Sequence, residues 1–467
     1  MSTIYIHWPF CLSKCHYCDF NSVVLPPRIE YTEWLSLYKK ILLRFKEIYY
    51  KSEEITSIYF GGGTPSLLPS WFITELLDTI HTHFRVNNPE ITLEANPKCN
   101  PFGNTGINRP LSKPSESELL ERKTAHRPAV YLSVHEESST GLTNQEADYG
   151  EFGKGANRLS IGVQSIIDDD LTMLGRIHTA SEAQEFVFEM SEIFPNISVD
   201  LIYNRPNQKP AQWIQELETV LKWPIQHISL YELIIEEGTR MKNMIDSGEL
   251  AHPDCSSIFL EETIDTAERA GFNCYEVSNF ARPGFECRHN ISYWKYEDYY
   301  GVGPGAHSRI SVNRPLPKPS ESDLMEGEPA RRTGVYFGVH EDLSTGSTKQ
   351  KTGYGEFGKR SNGRKLAIAQ TPDVHRWLEW ASGDAVFDVE YLSIEEEFQE
   401  RLIMGLRSSV GLNMEEIDLG IRETHSINNK IQSLLKNSYI MLRDGRVILT
   451  REGILKLNLI VEYLSGE

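Results

Sequence analysis

The sequence lacks the features that carry a protein into or through a membrane. No uninterrupted apolar run reaches the roughly 18 residues of a transmembrane helix. No basic segment followed by an apolar stretch opens the chain, so we expect no secretory signal. Positive charge is also scarce, since 47 Lys and Arg stand against 66 Asp and Glu for a net charge of −19. We expect at most peripheral membrane contact and no nucleic-acid partner, because such a partner demands clustered positive charge.

Cysteine is scarce as well. The 467 residues include seven cysteines, an odd number. A disulfide framework needs paired cysteines, so the count favours a reducing compartment, and we predict a cytoplasmic protein. A hydrophobic content of 40% and a charged content of 24% are typical of a globular chain with two or three domains.

Three of the cysteines, Cys11, Cys15 and Cys18, lie close together with the spacing C-x3-C-x2-C. Thiolates at this spacing on one loop can converge on a metal centre. A zinc ion would want a fourth ligand to complete its tetrahedron. Three thiolates can instead hold a [4Fe–4S] cluster and leave one iron open for chemistry. A zinc knuckle and three unrelated thiols remain the alternatives.

Strand and helix patterns alternate along the first half of the chain. The predicted strands are 4–8, 55–60, 91–97, 157–165, 197–201 and 225–233, and the predicted helices between them include 29–51 and 70–84. Such an alternation gives parallel strands joined by right-handed crossovers. We predict an α/β fold with a partial (β/α)6 barrel, whose site lies at the carboxyl ends of the strands.

Residues suited to ligand binding follow three of these strands. Gly61-Gly62-Gly63 would let backbone amides approach a ligand without a side-chain clash, although a tight turn needs the same residues. Glu94 ends the strand 91–97, where a carboxylate can hold a hydroxyl or amino group, or can simply be solvated. Gln164 ends the strand 157–165.

The cysteine spacing resembles the signature of the radical SAM superfamily, in which the open iron binds S-adenosylmethionine (SAM) and reduces its sulfonium. A longer series of motifs resembles the HemW haem chaperone family, which is related to the oxygen-independent coproporphyrinogen III oxidase HemN. In order, these motifs are FGGGTPS, LEANP, NRLSIGVQS, GRIH, VDLIYNRP, SLYELIIEEGT, YEVSNFA, CRHNISYW and GVGPGAHS. The resemblance runs from about residue 4 to the C-terminus, outside two inserted segments.

The resemblance assigns roles residue by residue. It makes Cys11, Cys15 and Cys18 the cluster ligands. It places Tyr5, Gly62, Glu94 and Arg176 around the SAM on the cluster. It matches Tyr17, Gly63, Thr64, Gln164 and Asp200 to positions that line or bridge to a second SAM in the oxidase. It associates His289, Asn290, Tyr293 and Trp294, the HNxxYW motif, with haem.

Haem binding at the HNxxYW motif is chemically reasonable, because neutral imidazole is a common haem ligand and aromatic rings can flank a macrocycle. The alternative is a structural loop whose Tyr and Trp pack in the core. The chain also departs from the related patterns. Phe20 stands where the oxidase has an additional cysteine, and Asn204-Arg205 replaces the usual Gly-Leu before Pro206. Losing that glycine predicts a shifted loop.

Residues 108–154 and 313–359 are near-copies of each other, offset by 205 positions. Their bias towards Pro, Ser, Gly, Glu and Lys predicts inserted, disordered segments, although a pair of partner-binding arms is an alternative. We place the barrel at 1–240 and the HNxxYW region at 241–312. A C-terminal domain follows at 360–467.

The C-terminal pattern is a helix, a hairpin around Asp444-Gly445 and a final helix, which predicts an α+β winged-helix-like module. The overall acidity argues against DNA binding, so we interpret the module as a lid or docking element.

We weigh three functions. The first is a haem chaperone that binds a [4Fe–4S] cluster, SAM and haem, and delivers haem to apoproteins, respiratory-membrane enzymes among them. The second is coproporphyrinogen III oxidase in porphyrin biosynthesis. The third is a redox-inert interaction protein, which the intact cluster and SAM motifs disfavour. Phe20 and the HNxxYW motif favour the chaperone, without the oxidase activity and with a homodimer among the expected states.

Overall fold

The computed structural model describes residues 1–50, 53–98, 155–251, 256–312, 364–383, 387–414 and 424–466. Both inserted repeats, and with them their predicted disorder, lie outside these ranges. None of the described helices combines the length and apolar character needed to cross a membrane.

The strands are β1 (Ser2–Trp8), β2 (Phe10–Cys11), β3 (Val23–Val24), β4 (Glu54–Gly62), β5 (Arg85–Ala95), β6 (Arg158–Gln164), β7 (Ile197–Tyr203), β8 (His227–Glu232), β9 (Asn273–Glu276), β10 (Asn279–Ala281), β11 (Asp298–Val302), β12 (His307–Val312), β13 (Arg364–Ala369), β14 (Asp388–Tyr391), β15 (Leu412–Asn413), β16 (Ile440–Arg443) and β17 (Arg446–Leu449).

The helices are α1 (Tyr31–Ile48), α2 (Ser70–His83), α3 (Asp168–Met173), α4 (Ala180–Ser191), α5 (Pro210–Val220), α6 (Arg240–Asp246), α7 (Ser256–Arg269), α8 (Arg288–Trp294), α9 (Val374–Ser382), α10 (Ile394–Leu406), α11 (Thr424–Lys436), α12 (Arg451–Ile454) and α13 (Leu457–Ser465). A single 3₁₀ turn covers Pro65–Leu67.

Six parallel strands form the barrel in the order β1-β4-β5-β6-β7-β8, which confirms the predicted partial (β/α)6 fold. The sheet extends further at both edges. Strand β11 joins β1 in parallel and leads into the antiparallel β12, β13 and β14, while β10 and β9 continue beyond β8. Segments on both sides of the second repeat therefore belong to one sheet of twelve strands.

The barrel is held by a core in which β1 and α1 contribute large aromatic side chains. Trp34 of α1 contacts Trp8 at 5.4 Å and stacks on Trp377 of α9 at 5.4 Å between ring centroids. Phe45 of α1 stacks on Phe387 at 4.4 Å. Burial of these rings ties the segment after the second repeat to the first helix, since apolar area removed from water stabilises the contact.

The C-terminal module has a core of its own. Strands β15, β17 and β16 form a small antiparallel sheet against α10 and α11, and α13 packs against both of these helices. Asp444 and Gly445 both have positive φ, as the predicted two-residue hairpin turn requires. The winged-helix-like arrangement of helix, hairpin and helix is thus confirmed. An isolated bridge from Glu276 to Ser408 connects the module to β9 of the large sheet.

Candidate functional site

A cavity of about 870 Å³ opens at the carboxyl ends of the parallel strands. Its wall includes the cysteine loop after β1, the ends of β4 to β8, and the segment 454–459 of the C-terminal module. The volume lies within the range of small-molecule and cofactor sites. Of the residues that the sequence assigned to the cluster or SAM, Tyr5 does not line the cavity; those that do are Cys11, Cys15, Cys18, Tyr17, Gly62, Gly63, Thr64, Glu94, Gln164, Arg176 and Asp200.

The glycine loop after β4 is packed so tightly that side chains would not fit. A Cβ on Gly62, which has φ +105°, would lie 2.5 Å from the His7 ring, and one on Gly63 would lie 2.7 Å from the Phe10 carbonyl oxygen. The amides of Gly63 and Thr64 donate to the carbonyls of Trp8 and Phe10 at 2.6 and 2.9 Å. The glycines therefore bring the β4 loop directly against the strand that carries Cys11.

Each of the three cysteine sulfurs has at least one polar partner. Thr64 Oγ1 donates to Cys11 Sγ at 3.4 Å, and Arg176 Nη1 donates to Cys15 Sγ at 3.2 Å. Cys18 Sγ lies 3.5 Å from Ser22 Oγ. Burial raises the pKa of the Cys11 and Cys18 thiols, and these hydroxyl partners oppose the rise. Hydrogen bonds to sulfur favour the thiolate form that a metal centre requires.

The donor set fits an iron–sulfur cluster better than a single ion. Over the described ranges, no group of three or more His, Cys, Asp or Glu is close enough together to hold one metal ion. In a cubane each thiolate binds a different iron, so the sulfurs stand farther apart. Three thiols around one cavity wall, each with a polar partner, suit that arrangement.

Arg176 links the thiols through a residue that sequence reasoning missed. Its Nη2 donates to Asn96 Oδ1 and, at 2.7 Å, to the carbonyl of Gly162. Asn96 Nδ2 in turn donates to Thr64 Oγ1 at 3.0 Å, which donates to Cys11. Asn96 directly follows β5 in the LEANP motif, two residues after Glu94. Its position directly after a barrel strand is the feature of the sequence that could have identified it as a site residue.

Two partly buried carboxylates face the cavity. Glu94 accepts from Tyr59 Oη at 2.8 Å and from the Gly62 amide at 3.1 Å. Burial, helped by nearby Asp200, raises the pKa of Glu94 to about 7, although the Tyr59 hydrogen bond opposes it. Burial also raises the pKa of Asp200, which accepts from Ser160 Oγ at 3.3 Å. Such perturbed groups in a cleft are typical of functional sites.

Gln164 has a strained backbone, with φ +72° at the carboxyl end of β6. A left-handed conformation is unusual for glutamine and is found where the surrounding structure enforces it. In this conformation Gln164, at the carboxyl end of β6, lines the cavity. Tyr5 lies beneath the loop, with its hydroxyl 3.0 Å from His7 Nδ1.

The HNxxYW motif forms α8, and most of it is turned away from the cavity. His289 is buried, its Nδ1 lies 3.2 Å from Ser57 Oγ, and its ring stacks on Tyr59 at 4.8 Å. Burial lowers the pKa of His289 to about 3, so the imidazole is neutral. Tyr293 packs on Tyr299 at 4.4 Å, and the Arg407 guanidinium lies 5.5 Å from the Trp294 ring.

Of the four motif residues, Asn290 alone lines the cavity, and its Nδ2 donates to Tyr275 Oη at 3.3 Å. His289 is buried and packs against Tyr59, as a core residue does. An axial role for His289 would require these contacts to break.

The Asn204-Arg205 departure keeps the glycine conformation. Asn204 has φ +57°, a left-handed value that asparagine tolerates, and its Nδ2 donates to Glu232 at 2.8 Å. Arg205 is buried and pairs with Glu216 of α5 at 2.5 Å and with Asp170 of α3 at 3.0 Å. Arg205 thus connects the loop after β7 to α3 and α5 through two ion pairs.

Known proteins resemble the chain over most of its length. It is 28% identical over 477 residues to "Radical S-adenosyl methionine domain-containing protein 1, mitochondrial" of Danio rerio, a match to 100% of this chain and 87% of that protein. It is 32% identical over 322 residues to "Heme chaperone HemW" of Mycobacterium tuberculosis, covering 67% of this chain and 70% of the relative.

In structure, the chain is similar to coproporphyrinogen III oxidase (HemN) of Escherichia coli, described as a radical SAM enzyme, with a TM-score of 0.64 at 16% identity over 99% of this chain and 90% of that one. No protein-family model matches the chain. A parallel partial barrel with a C-x3-C-x2-C loop on its cavity is the architecture of the radical SAM class. Within that class, the chain belongs to the family of the haem chaperone HemW.

Proposed function

We propose that this protein is a haem chaperone that holds a [4Fe–4S] cluster and SAM in its cavity, binds haem, and delivers it to apoproteins. The observation that carries the proposal is the common cavity wall of the three cysteines, the glycine loop and Phe20. Membership of the HemW family supports it. Recipients such as respiratory-membrane enzymes, a cytoplasmic location and a homodimer are further parts of the proposal.

Phe20 supports the chaperone over the oxidase. Its ring lines the cavity and is 63% exposed, where the oxidase pattern has a cysteine. A phenyl ring can neither ligate iron nor move a proton. Oxidative decarboxylation of a propionate needs groups that take up protons and electrons, and this position supplies none.

The proposed site assigns a task to each group of residues. A cluster bound by Cys11, Cys15 and Cys18 would supply an electron to SAM. The Gly62 loop and Glu94 would hold the amino end or ribose of SAM, and Arg176 would fix Cys15. The cavity wall formed by 454–459 would limit the access of water to these groups.

Reconstituted protein is expected to bind haem and not to oxidise coproporphyrinogen III. Under strict anaerobiosis, haem is added to one portion and followed by its Soret absorbance. A second portion receives SAM, a reductant and coproporphyrinogen III, and protoporphyrinogen is quantified after oxidation to protoporphyrin. Multiple turnovers would replace the chaperone with the oxidase. Absence of haem binding in the first portion would end the chaperone proposal.

Binding of SAM is expected to tighten as pH rises through about 7. The pKa of Glu94 lies near 7 in the folded chain, so the carboxylate is ionised above that pH and can attract the SAM ammonium. Between pH 6 and 7, where most of an α-amino group stays protonated, the dissociation constant should fall about fivefold if only ionised Glu94 binds. Calorimetric titration of the reconstituted protein measures this change.

Glu94→Gln is the control for the pH profile, since it keeps the shape of the side chain and removes its charge. Its SAM affinity should be low and nearly independent of pH over the same interval. An unchanged profile in this variant would assign the titration to another group, Asp200 being the nearest candidate carboxylate.

A further inference from the structure

Exposed apolar side chains surround the mouth of the cavity. Such residues are normally scattered over a surface, and their convergence on one cleft marks a binding site. The five that line the cavity are Phe20 at 63% exposure, Ile177 at 44%, Tyr231 at 43%, Ile234 at 50% and Leu459 at 66%. They come from the cysteine loop, the barrel and the C-terminal module, so the mouth is built by three separate parts of the chain.

Cationic side chains lie on the C-terminal side of the same cavity. Arg407 follows α10 and Lys456 precedes α13, and both line the wall. The Nε of Arg407 is buried without a hydrogen-bond partner. The Arg407 charge also opposes the rise that burial causes in the pKa of Glu276. The Nζ of Lys456 lies 5.5 Å from the Tyr439 ring. A buried guanidinium donor without a partner is costly unless a ligand satisfies it.

Acidic side chains lie elsewhere on the wall, at Asp19 in the cysteine loop, at Glu232 in β8 and at Glu236 after it. The other cations of the wall are buried or engaged within the protein: Arg158 is buried, and Lys14 and Arg176 donate to the Ser22 carbonyl and to Cys15 Sγ. A ligand with negative groups would be repelled from these positions and drawn to Arg407 and Lys456. The cavity therefore suits a largely apolar molecule with carboxylates at one edge.

We propose that haem lies in the mouth of this cavity, with its apolar surface against Phe20, Ile234 and Leu459 and its propionates against Arg407 and Lys456. The inference rests on the proposed chaperone function and places the cargo away from His289, whose ring packs against Tyr59. In this location Phe20 would contact the haem, because a phenyl ring in place of a thiol offers an apolar surface to the macrocycle.

The test compares haem with haem dimethyl ester, in which both propionates are neutral, by Soret titration of the full reconstituted chain. Leu459→Asp should weaken the binding of both ligands about tenfold or more, because it puts charge on the apolar contact surface. Arg407→Met and Lys456→Met should each weaken haem binding about tenfold and leave the ester unchanged.

Leu442→Asp is the matched control. Leu442 is 51% exposed on β16 of the same module and does not line the cavity, so its variant should bind both ligands normally. Phe20→Ser, in a different element, tests the apolar contact independently if Leu459→Asp fails to fold.

Normal haem binding by Phe20→Ser, Leu459→Asp and Arg407→Met would overturn this location while leaving the chaperone function standing. Equal weakening of haem and ester by both charge variants would overturn the propionate contacts. Lack of haem binding by the unaltered chain would instead refute the proposed function itself.

Discussion

Replacing Cys11, Cys15 and Cys18 by alanine is expected to abolish cluster binding. The three sulfurs are the thiols of the described chain that share one cavity wall, and each has a polar partner suited to a thiolate. A cluster needs thiolate ligands, and alanine offers none. Iron and acid-labile sulfide should fall from about four of each per chain in reconstituted protein to near zero, and the iron–sulfur absorption should disappear.

Cys274→Ala is the matched control for that experiment. Cys274 lies on β9, and its thiol donates to the Glu276 carbonyl at 3.1 Å, outside the cavity wall. This variant should keep a full cluster. Zinc is measured in the same samples, because stoichiometric zinc without sulfide in the unaltered protein would establish the knuckle instead. A full cluster in the triple variant would refute the ligand assignment.

The barrel was predictable from the sequence because its strands are buried on both faces. Strands β1, β6 and β7 are nearly continuous runs of buried residues, and such runs between turn signals are recognised from sequence. Strand β5 shows the limit of that signal. It begins at Arg85, six positions before the predicted start at residue 91. The prediction missed this part because 85–90 include three exposed residues and Pro89. Polar residues at an exposed strand start give no hydrophobic period.

The placement of the cysteines and glycines beside one cavity was predictable, because each set lies within one loop after a barrel strand. Contacts between side chains from distant segments were less predictable. Nothing local indicates that Asn96 connects Arg176 to Thr64, or that Leu459 reaches the cavity that Phe20 lines. A motif also does not show which way each of its side chains points. In α8, Asn290 faces the cavity, whereas His289 packs in the core.

The Asn204-Arg205 departure illustrates both limits. Loss of glycine predicted a shifted loop, yet Asn204 adopts the left-handed conformation itself. The role of Arg205 depends on Glu216, eleven residues later, and on Asp170, and no local pattern connects them. The buried arginine also donates to the carbonyls of Gln164 and Ile202 at 3.3 and 3.1 Å. It therefore supports the strained end of β6 from behind the cavity.

Arg205→Met is expected to be among the most destabilising single changes in the barrel. The Glu216 side chain is 1% exposed, and without Arg205 its carboxylate would be buried without a cation. Breaking a buried ion pair by removing one partner costs about 3–5 kcal/mol. Urea unfolding of the cluster-free chain, followed by circular dichroism, should show a correspondingly lower midpoint.

A second substitution tests the cause of that loss. Glu216 also accepts from Ser165 Oγ at 2.7 Å and from the Ile166 amide at 2.8 Å, so Glu216→Gln keeps an acceptor there while removing the charge. Combined with Arg205→Met, it should recover a large part of the lost free energy of unfolding, because no unpaired charge then remains buried. The surface pair Lys39–Glu75 provides the comparison, since Lys39→Met should cost less than about 1 kcal/mol. If Arg205→Met lowers the free energy of unfolding no more than Lys39→Met does, the buried ion pair does not stabilise the fold. In that case the conformation of the loop after β7 would depend on Asn204 and its neighbours alone.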